Sequence, residues 1–411
     1  MNFDLSFLTN IPNWMPLEYW RYLSQYPIFI LGLMITLFLT PFFGYVAIKN
    51  NIVNETKGDT RKRLNRFDNQ ERRINPNPTP LLGGLSILIP LIAVIIASFG
   101  FGPITTPLLI SLVILLIGGI FDDMYNIPAT TQFLIQFIAA AIIAISVIDL
   151  ATISIPLDGV IHLDSIILQT DNFLFPIRFL VPGDIIMIIW IMIVINAIKW
   201  VGGIDALMEG TLSIAFILIY IIGIRTGSEL VIITSLYMVG SLLGFIFYNF
   251  PPAKIFTGST GKTAFGFLVA TLSLIGDTKV AITIMIILLP IIDFVFVLMK
   301  RLLMNKPKSV NELLRLPINL MRTSDTNHLH HQLLRVGLSV RQILFIEISL
   351  TLLIGMVAVL TTEAYRLFLV MGFGLVVMLL ILFLHIYSNK REKKLKRTQQ
   401  DTESPESRYS Y

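Results

Sequence analysis

Long apolar runs alternate with short polar segments from residue 26 to residue 388. A helix needs about 20 mostly apolar residues to cross the hydrocarbon core of a bilayer. Eleven stretches fit that length: 26–49, 81–101, 103–120, 129–149, 183–201, 206–224, 228–250, 261–276, 279–299, 340–361 and 365–388. The eighth is short and contains glycine. The first lies too far from the N-terminus, and lacks a small-residue cleavage site, to be a signal peptide. The pattern predicts an all-α polytopic membrane protein of about eleven transmembrane helices. A single transmembrane domain, 26–388, is expected between an N-terminal segment, 1–25, and a basic and polar tail, 389–411, expected to be disordered. Around "ISIPLDGVIHL", within 150–182, apolar and polar residues alternate, which predicts a short hairpin.

Composition narrows the class. Of 411 residues 55% are hydrophobic and 14% charged, against about 25% charged in a soluble domain. Mean hydropathy is +0.78 and cysteine is absent. A soluble cytosolic enzyme, a disordered chain and a disulfide scaffold are excluded. The net charge of +5 matters by position, because membrane orientation follows Lys and Arg. After the first span come Lys49, Lys57, Arg61, Lys62, Arg63, Arg66, Arg72 and Arg73. After the ninth come Lys300, Arg301, Lys306, Lys308, Arg315, Arg322, Arg335 and Arg341. The tail carries Lys390, Arg391, Lys393, Lys394, Lys396, Arg397 and Arg408, suited to anionic lipid head groups. The alternate segments hold only Arg21, Arg178, Arg225, Lys279 and Arg366. With eleven spans every rich segment falls on one face, which the positive-inside rule makes cytoplasmic. The N-terminus and the 150–182 hairpin are then outside, the C-terminus inside, in the plasma membrane. No nucleic-acid partner is expected.

Candidate chemistry shows as polar residues that are costly near lipid. "GGIFDDMYN" places Asp122 and Asp123 where the third span ends. Adjacent carboxylates suit metal binding, or a base with a raised pKa, although a bare pair taken alone reads as a solvated helix end. "NAIKWVGGIDALMEG" sets Asn196, Lys199, Asp205 and Glu209 at the fifth-to-sixth junction. Asn196 and Lys199 share a helix face, and the glycines at 202 and 203 expose backbone N–H groups to an anion. "KIFTGSTGKTAFG" is not a P-loop, because the required glycine is Phe256; Lys262 still stands at a helix start. "SDTNHLHHQLLRVG" groups His328, His330 and His331, three of the five histidines, as candidate metal ligands, phosphate donors or an acid–base pair. Zinc is disfavoured for want of a fourth ligand at the usual spacing.

These clusters, with "PTPLLGG" before the second span and "PIIDFVFVLMKR" in the ninth, resemble the polyprenyl-phosphate N-acetylhexosamine-1-phosphate transferases of glycosyltransferase family 4. The histidine motif and span count are more similar to the teichoic-acid and O-antigen branch than to the peptidoglycan branch. The resemblance implies a transferase that moves N-acetylhexosamine 1-phosphate from a UDP-sugar to a polyprenyl, undecaprenyl-type phosphate. It implies release of UMP at a Mg²⁺-dependent cytoplasmic site, and initiation of a cell-envelope glycan. It gives Asp122 or Asp123 the role of base or metal-side carboxylate. Asn196 and Asp205 would line the nucleotide pocket, with Asp205 counted among the catalytic groups. His328, His330 and His331 would hold the phosphates. A homodimer is one assembly open to such a chain.

The departures from that family's pattern fall in the same clusters. The junction motif N-x-x-N-x-x-D-G-x-D-G has Lys199 for its second Asn, Gly202 for its first Asp and Ala206 for its last Gly. The loop M-G-D-x-G-S has Ser259 for its metal-binding Asp and Lys262 for its final Ser. Thr326 replaces an expected Arg, and Asn75 an expected His. Two acidic ligands are thus missing from the expected Mg²⁺ site, and two lysines stand beside the gaps. One expectation is a working transferase in which Lys199 and Lys262 contribute the missing positive charge. The alternative is a relative that has lost catalysis and binds nucleotide sugar or polyprenyl phosphate, or scaffolds glycan assembly. A transporter is disfavoured, because the polar residues gather at one face and no inverted repeat is present.

Overall fold

The computed structural model describes residues 25–54, 78–146, 152–155, 159–170, 177–275, 280–304, 328–361 and 363–403. Its helices are α1 (Tyr26–Lys49), α2 (Leu85–Phe99, entered through a 3-10 turn at Leu82–Gly84), α3 (Thr105–Tyr125), α4 (Ala129–Ala144), α5 (Gly183–Val201), α6 (Leu207–Thr226) and α7 (Glu229–Asn249). There follow α8 (Gly258–Ile275), α9 (Val280–Ile286), α10 (Leu288–Met304), α11 (Leu329–Arg335), α12 (Val340–Leu360) and α13 (Glu363–Glu403). Each of the eleven apolar stretches carries helix among its described residues. Among the described residues eight helical segments are long and apolar enough to cross a membrane: those in α1, α2 with its 3-10 turn, α3, α5, α6, α7, α12 and α13. The three other stretches are α4, α8 and the pair α9–α10.

The protein is an all-α polytopic membrane protein whose helices sort by what they face. α7 buries 78% of its apolar window, whereas α1 and the Phe368–Ser388 part of α13 bury 17% each. α6, α7 and α8 therefore form the centre, and α1 and α13 the lipid-facing rim, where Phe38, Phe42, Tyr45 and Phe383 stand exposed. Lipid is as apolar as these side chains, so close packing rather than water exclusion holds the bundle together.

Three elements differ from expectation. The ninth stretch is broken between α9 and α10 at Ile287. Pro290 has no N–H, and its ring would meet the carbonyl of residue 286, four positions back. The 150–182 segment forms the hairpin expected around "ISIPLDGVIHL", β3–β4 (Thr152–Ile155, Gly159–His162), and in addition a second antiparallel pair, β5–β6 (Asp164–Thr170, Ile177–Pro182). The last helix runs on to Glu403, through most of the tail expected to be disordered. A further pair, β1 (Val53–Asn54) with β2 (Thr79–Pro80), ties the end of α1 to the start of α2. The hairpins enter α5 at its N-terminal end, where Asp184 accepts the amide of Leu180 at 2.7 Å. The 19 residues of α5 then set them about 28 Å from the candidate site at its other end.

Candidate active site

Three glycine-bearing segments meet at the end of the bundle where α3 and α5 finish and α8 begins. Phe256 donates its amide to Pro80 O at 2.8 Å, and Gly83 and Gly84 donate theirs to Phe256 O and Thr257 O, each at 3.0 Å. This approach requires glycine: a Cβ on Gly84 would lie 2.5 Å from Gly261 N and 2.6 Å from its Cα. The chain enters α8 at Gly258 with φ +70°, a conformation that costs most side chains strain.

The sharp entry brings the first amides of α8 onto Asp123. Its Oδ1 accepts the Ser259 N–H at 2.7 Å, and its Oδ2 accepts the Thr260 N–H at 3.2 Å and the Thr260 hydroxyl at 2.9 Å. The N-terminal amides of a helix have no partner within it, so this buried carboxylate serves as the cap of α8. Asp122, about 100° around the same helix, points elsewhere. Its Oδ1 accepts Gln132 Nε2 at 2.8 Å, and Gln132 Oε1 in turn accepts from Lys199 Nζ. Asp122, Gln132, Gln136, Lys199, Ser259 and Thr263 line a small, half-open pocket with room for about one water, bordered by Leu115, Ile127 and Ile135.

Asn196 sits one turn above Lys199 on α5 and donates to Gln136 Oε1 at 3.0 Å and to Met192 O at 2.8 Å. Gln132 and Gln136, an i,i+4 pair on α4, thus engage the i,i+3 pair on α5. Lys262 reaches across from α8 and donates to Gly202 O at 3.0 Å. Asp205 turns away from the pocket and accepts the Ala253 amide at 2.9 Å. Burial raises its pKa, partly offset by that amide. Next to it Ala206 adopts φ +61°, a left-handed conformation natural to the glycine of the family motif, and Asn249 Oδ1 holds its amide at 2.7 Å.

The histidines gather on the other side of Gly203. His328 Nδ1 meets Asp293 Oδ2 at 2.8 Å, and the other Asp293 oxygen accepts the Leu329 amide at 2.7 Å. Trp200 packs edge-on to His328, ring centres 5.0 Å apart, with the Arg301 guanidinium 4.7 Å from the Trp200 ring centre. His330 lies parallel to His328 at 5.7 Å and tilted to His331 at 4.5 Å. Burial pushes the pKa of His330 well below 6.5, reinforced by His331, His328 and Lys262, so at neutral pH its ring is uncharged. A histidine depressed in the folded state binds its proton more readily unfolded. Its contribution to stability is therefore complete above 6.5 and is lost as pH falls towards the folded value. Melting temperature in detergent is expected to fall between pH 7 and pH 5, and His330→Gln should flatten that acid limb.

Asp122, Asp123, Asn196, Lys199 and Lys262 thus come together with the "PTPLLGG" turn. The histidines join them through Gly203, and Asp205 supports a loop. Sequence reasoning did not single out Asp293, Gln132, Gln136 or Trp200; a carboxylate in the ninth apolar stretch was the available signal for Asp293. Asn75, Thr326 and the basic residues 57–73 and 306–322 lie outside the described residues.

Residues 105–277, from α3 through α8, match the model for glycosyl transferase family 4. The chain is 30% identical over 325 residues to the probable undecaprenyl-phosphate N-acetylglucosaminyl 1-phosphate transferase of Bacillus subtilis (strain 168), covering 76% of this chain and 78% of that protein. It belongs to glycosyl transferase family 4. Other relatives of this family-4 chain include the decaprenyl-phosphate N-acetylglucosaminephosphotransferase of Mycobacterium leprae, 25% identical over 70% of the chain and 74% of the relative. The phospho-N-acetylmuramoyl-pentapeptide-transferase of Staphylococcus carnosus is 28% identical over 56% of the chain and 71% of the relative.

The Mg²⁺ expected of this family 4 chain is poorly matched by its donors. Hard cations need several oxygen ligands. Both oxygens of Asp123 are engaged by α8, positions 202 and 259 are Gly and Ser, and Lys199 and Lys262 bring ammonium groups instead. Among the described residues no three His, Asp or Glu side chains gather as a metal site would.

Proposed function

We propose that the protein transfers N-acetylhexosamine 1-phosphate from a UDP-sugar to polyprenyl phosphate, releasing UMP and initiating a cell-envelope glycan. The observation that carries this reading is the acid–amide–ammonium bridge at the bundle end, where Asp122 and Lys199 are joined through Gln132 beside a small open pocket. A phosphate oxygen of the lipid attacks the sugar-bearing phosphorus, and the bond from that phosphorus to the bridging oxygen breaks as UMP departs. In this reading Asp122 takes a proton from the lipid phosphate, Lys199 and Lys262 offset developing negative charge, and the histidines orient phosphate oxygens. The names of the relatives support a polyprenyl phosphate acceptor and an amino-sugar phosphate donor. The cytoplasmic face is supported by α1, whose end at the site leads into the basic segment 49–73. Eleven crossings, N-terminus outside, complete the reading.

The test is purified full-length protein in detergent or nanodiscs with undecaprenyl phosphate and a panel of UDP-sugars. UMP release with at least one sugar is expected, and Asp122→Asn should lower it about 100-fold or more. Silence across the panel at high enzyme concentration would sink the reading. The commitment of Asp123 to α8 favours one alternative, a non-catalytic relative, which predicts ligand binding without UMP.

A further inference from the structure

Gly202 and Lys262 are matched to one another. A Cβ added at Gly202 would lie 2.7 Å from Lys262 Cε and 3.0 Å from its Nζ, so the end of the lysine fills the room that a side chain at 202 would take. Lys262 Nζ is held there by the Gly202 carbonyl at 3.0 Å. Three residues before Gly202, on α5, Lys199 is fixed by Gln132, which also holds Asp122. Two ammonium groups therefore converge on the end of α5 from different elements.

An ammonium has three N–H donors. Among the described residues Lys262 and Lys199 use one each, on Gly202 and Gln132, and neither forms a salt bridge. Asp122, Asp123 and Glu209 attract the two ammonium groups from beyond ion-pair distance, while their hydrogen bonds go elsewhere: Asp122 to Gln132, Asp123 to the amides of α8, and Glu209 to the Thr257 hydroxyl at 3.1 Å. Half-buried cations without an ion-pair partner leave a desolvation cost that a bound anion would offset. Two strongly hydrated point charges with donors to spare suit phosphate oxygens, and repel a divalent cation from the same place.

We infer that Lys199 and Lys262 form a fixed ammonium clamp that binds a nucleoside diphosphate without a metal ion. The identity of the anion rests on the UDP-sugar reading; the clamp itself rests on the geometry. Here the cation is built into the chain, and the Gly202–Lys262 fit keeps it in place.

The experiment measures UDP binding to the purified full-length protein by calorimetry, with EDTA or with Mg²⁺. Binding in EDTA should equal binding in Mg²⁺ within about twofold, and Lys262→Met should weaken it about tenfold or more. Melting temperature reports whether that variant folds. If it does not, Gly202→Asp supplies the second variant: its carboxylate would pair with Lys262, and binding in EDTA should fall comparably. The clamp is overturned if EDTA abolishes binding and Mg²⁺ restores it, if folded lysine variants bind as well as the parent, or if UDP does not bind at all. Mg²⁺-dependent UMP release with lysine variants unaffected would leave the transferase reading standing and overturn the clamp. Metal-free UDP binding, lost in Lys262→Met and unaccompanied by UMP release, would do the reverse.

Discussion

Asp123→Ala is expected to lower the stability of the folded protein by about 2–4 kcal/mol, seen as a drop in melting temperature in detergent. The carboxylate accepts from two amides and one hydroxyl at the first turn of α8, in a place where water cannot easily replace it. Each buried donor left without an acceptor costs about 1–3 kcal/mol, and local rearrangement recovers part of the sum. Asp123→Asn should fall between, because an amide keeps one acceptor and turns a donor toward the donors of α8. A group used only in chemistry would behave differently, abolishing turnover and leaving melting unchanged. Unchanged melting in Asp123→Ala would therefore remove the capping role.

Asp293→Asn should reduce the rate of UMP release about 10–100-fold with little change in melting, the range seen when an outer partner of a functional histidine is altered. Asp293 faces two donors, the His328 ring and the Leu329 amide. Asparagine can still accept from Leu329 and so keeps the start of α11. Its amide nitrogen cannot accept from His328, so the ring must change tautomer or turn away from Trp200. Asp293→Ala removes both acceptors and should lower melting as well. If Asp293→Asn turns over like the parent, His328 has no oriented role.

Helices were the most legible part of this chain, because lipid demands long apolar runs and α1, α5 and α7 show them without interruption. The break at Ile287 was legible in principle, since Pro290 was in view, yet composition alone merges the two pieces into one apolar stretch. The candidate site was legible as a set of polar residues at span ends, though not as a set of contacts. Asp122 and Asp123 look equivalent in sequence; the turn of α3 and the position of α8 give one to a pocket and the other to a helix terminus. The link from Asp293 to His328 spans 35 residues, most of them outside the described chain, so no local spacing could announce it. Lys199 and Lys262 stood out as departures, but their convergence on Gly202 depends on how α5 and α8 cross.

Gln132 has a consequence for what this protein can tolerate. Its amide is read in opposite senses at its two ends, nitrogen toward Asp122 and oxygen toward Lys199, so it works in one orientation only. Glutamate there would face Asp122 with like charge, lysine would do the same to Lys199, and asparagine is one methylene too short to span both. Position 132 is in that sense an adaptor whose fit is dictated by its neighbours. Flipping the amide would also take its nitrogen from the Ile127 carbonyl, which it holds at 3.1 Å, so backbone as well as charge fixes its sense.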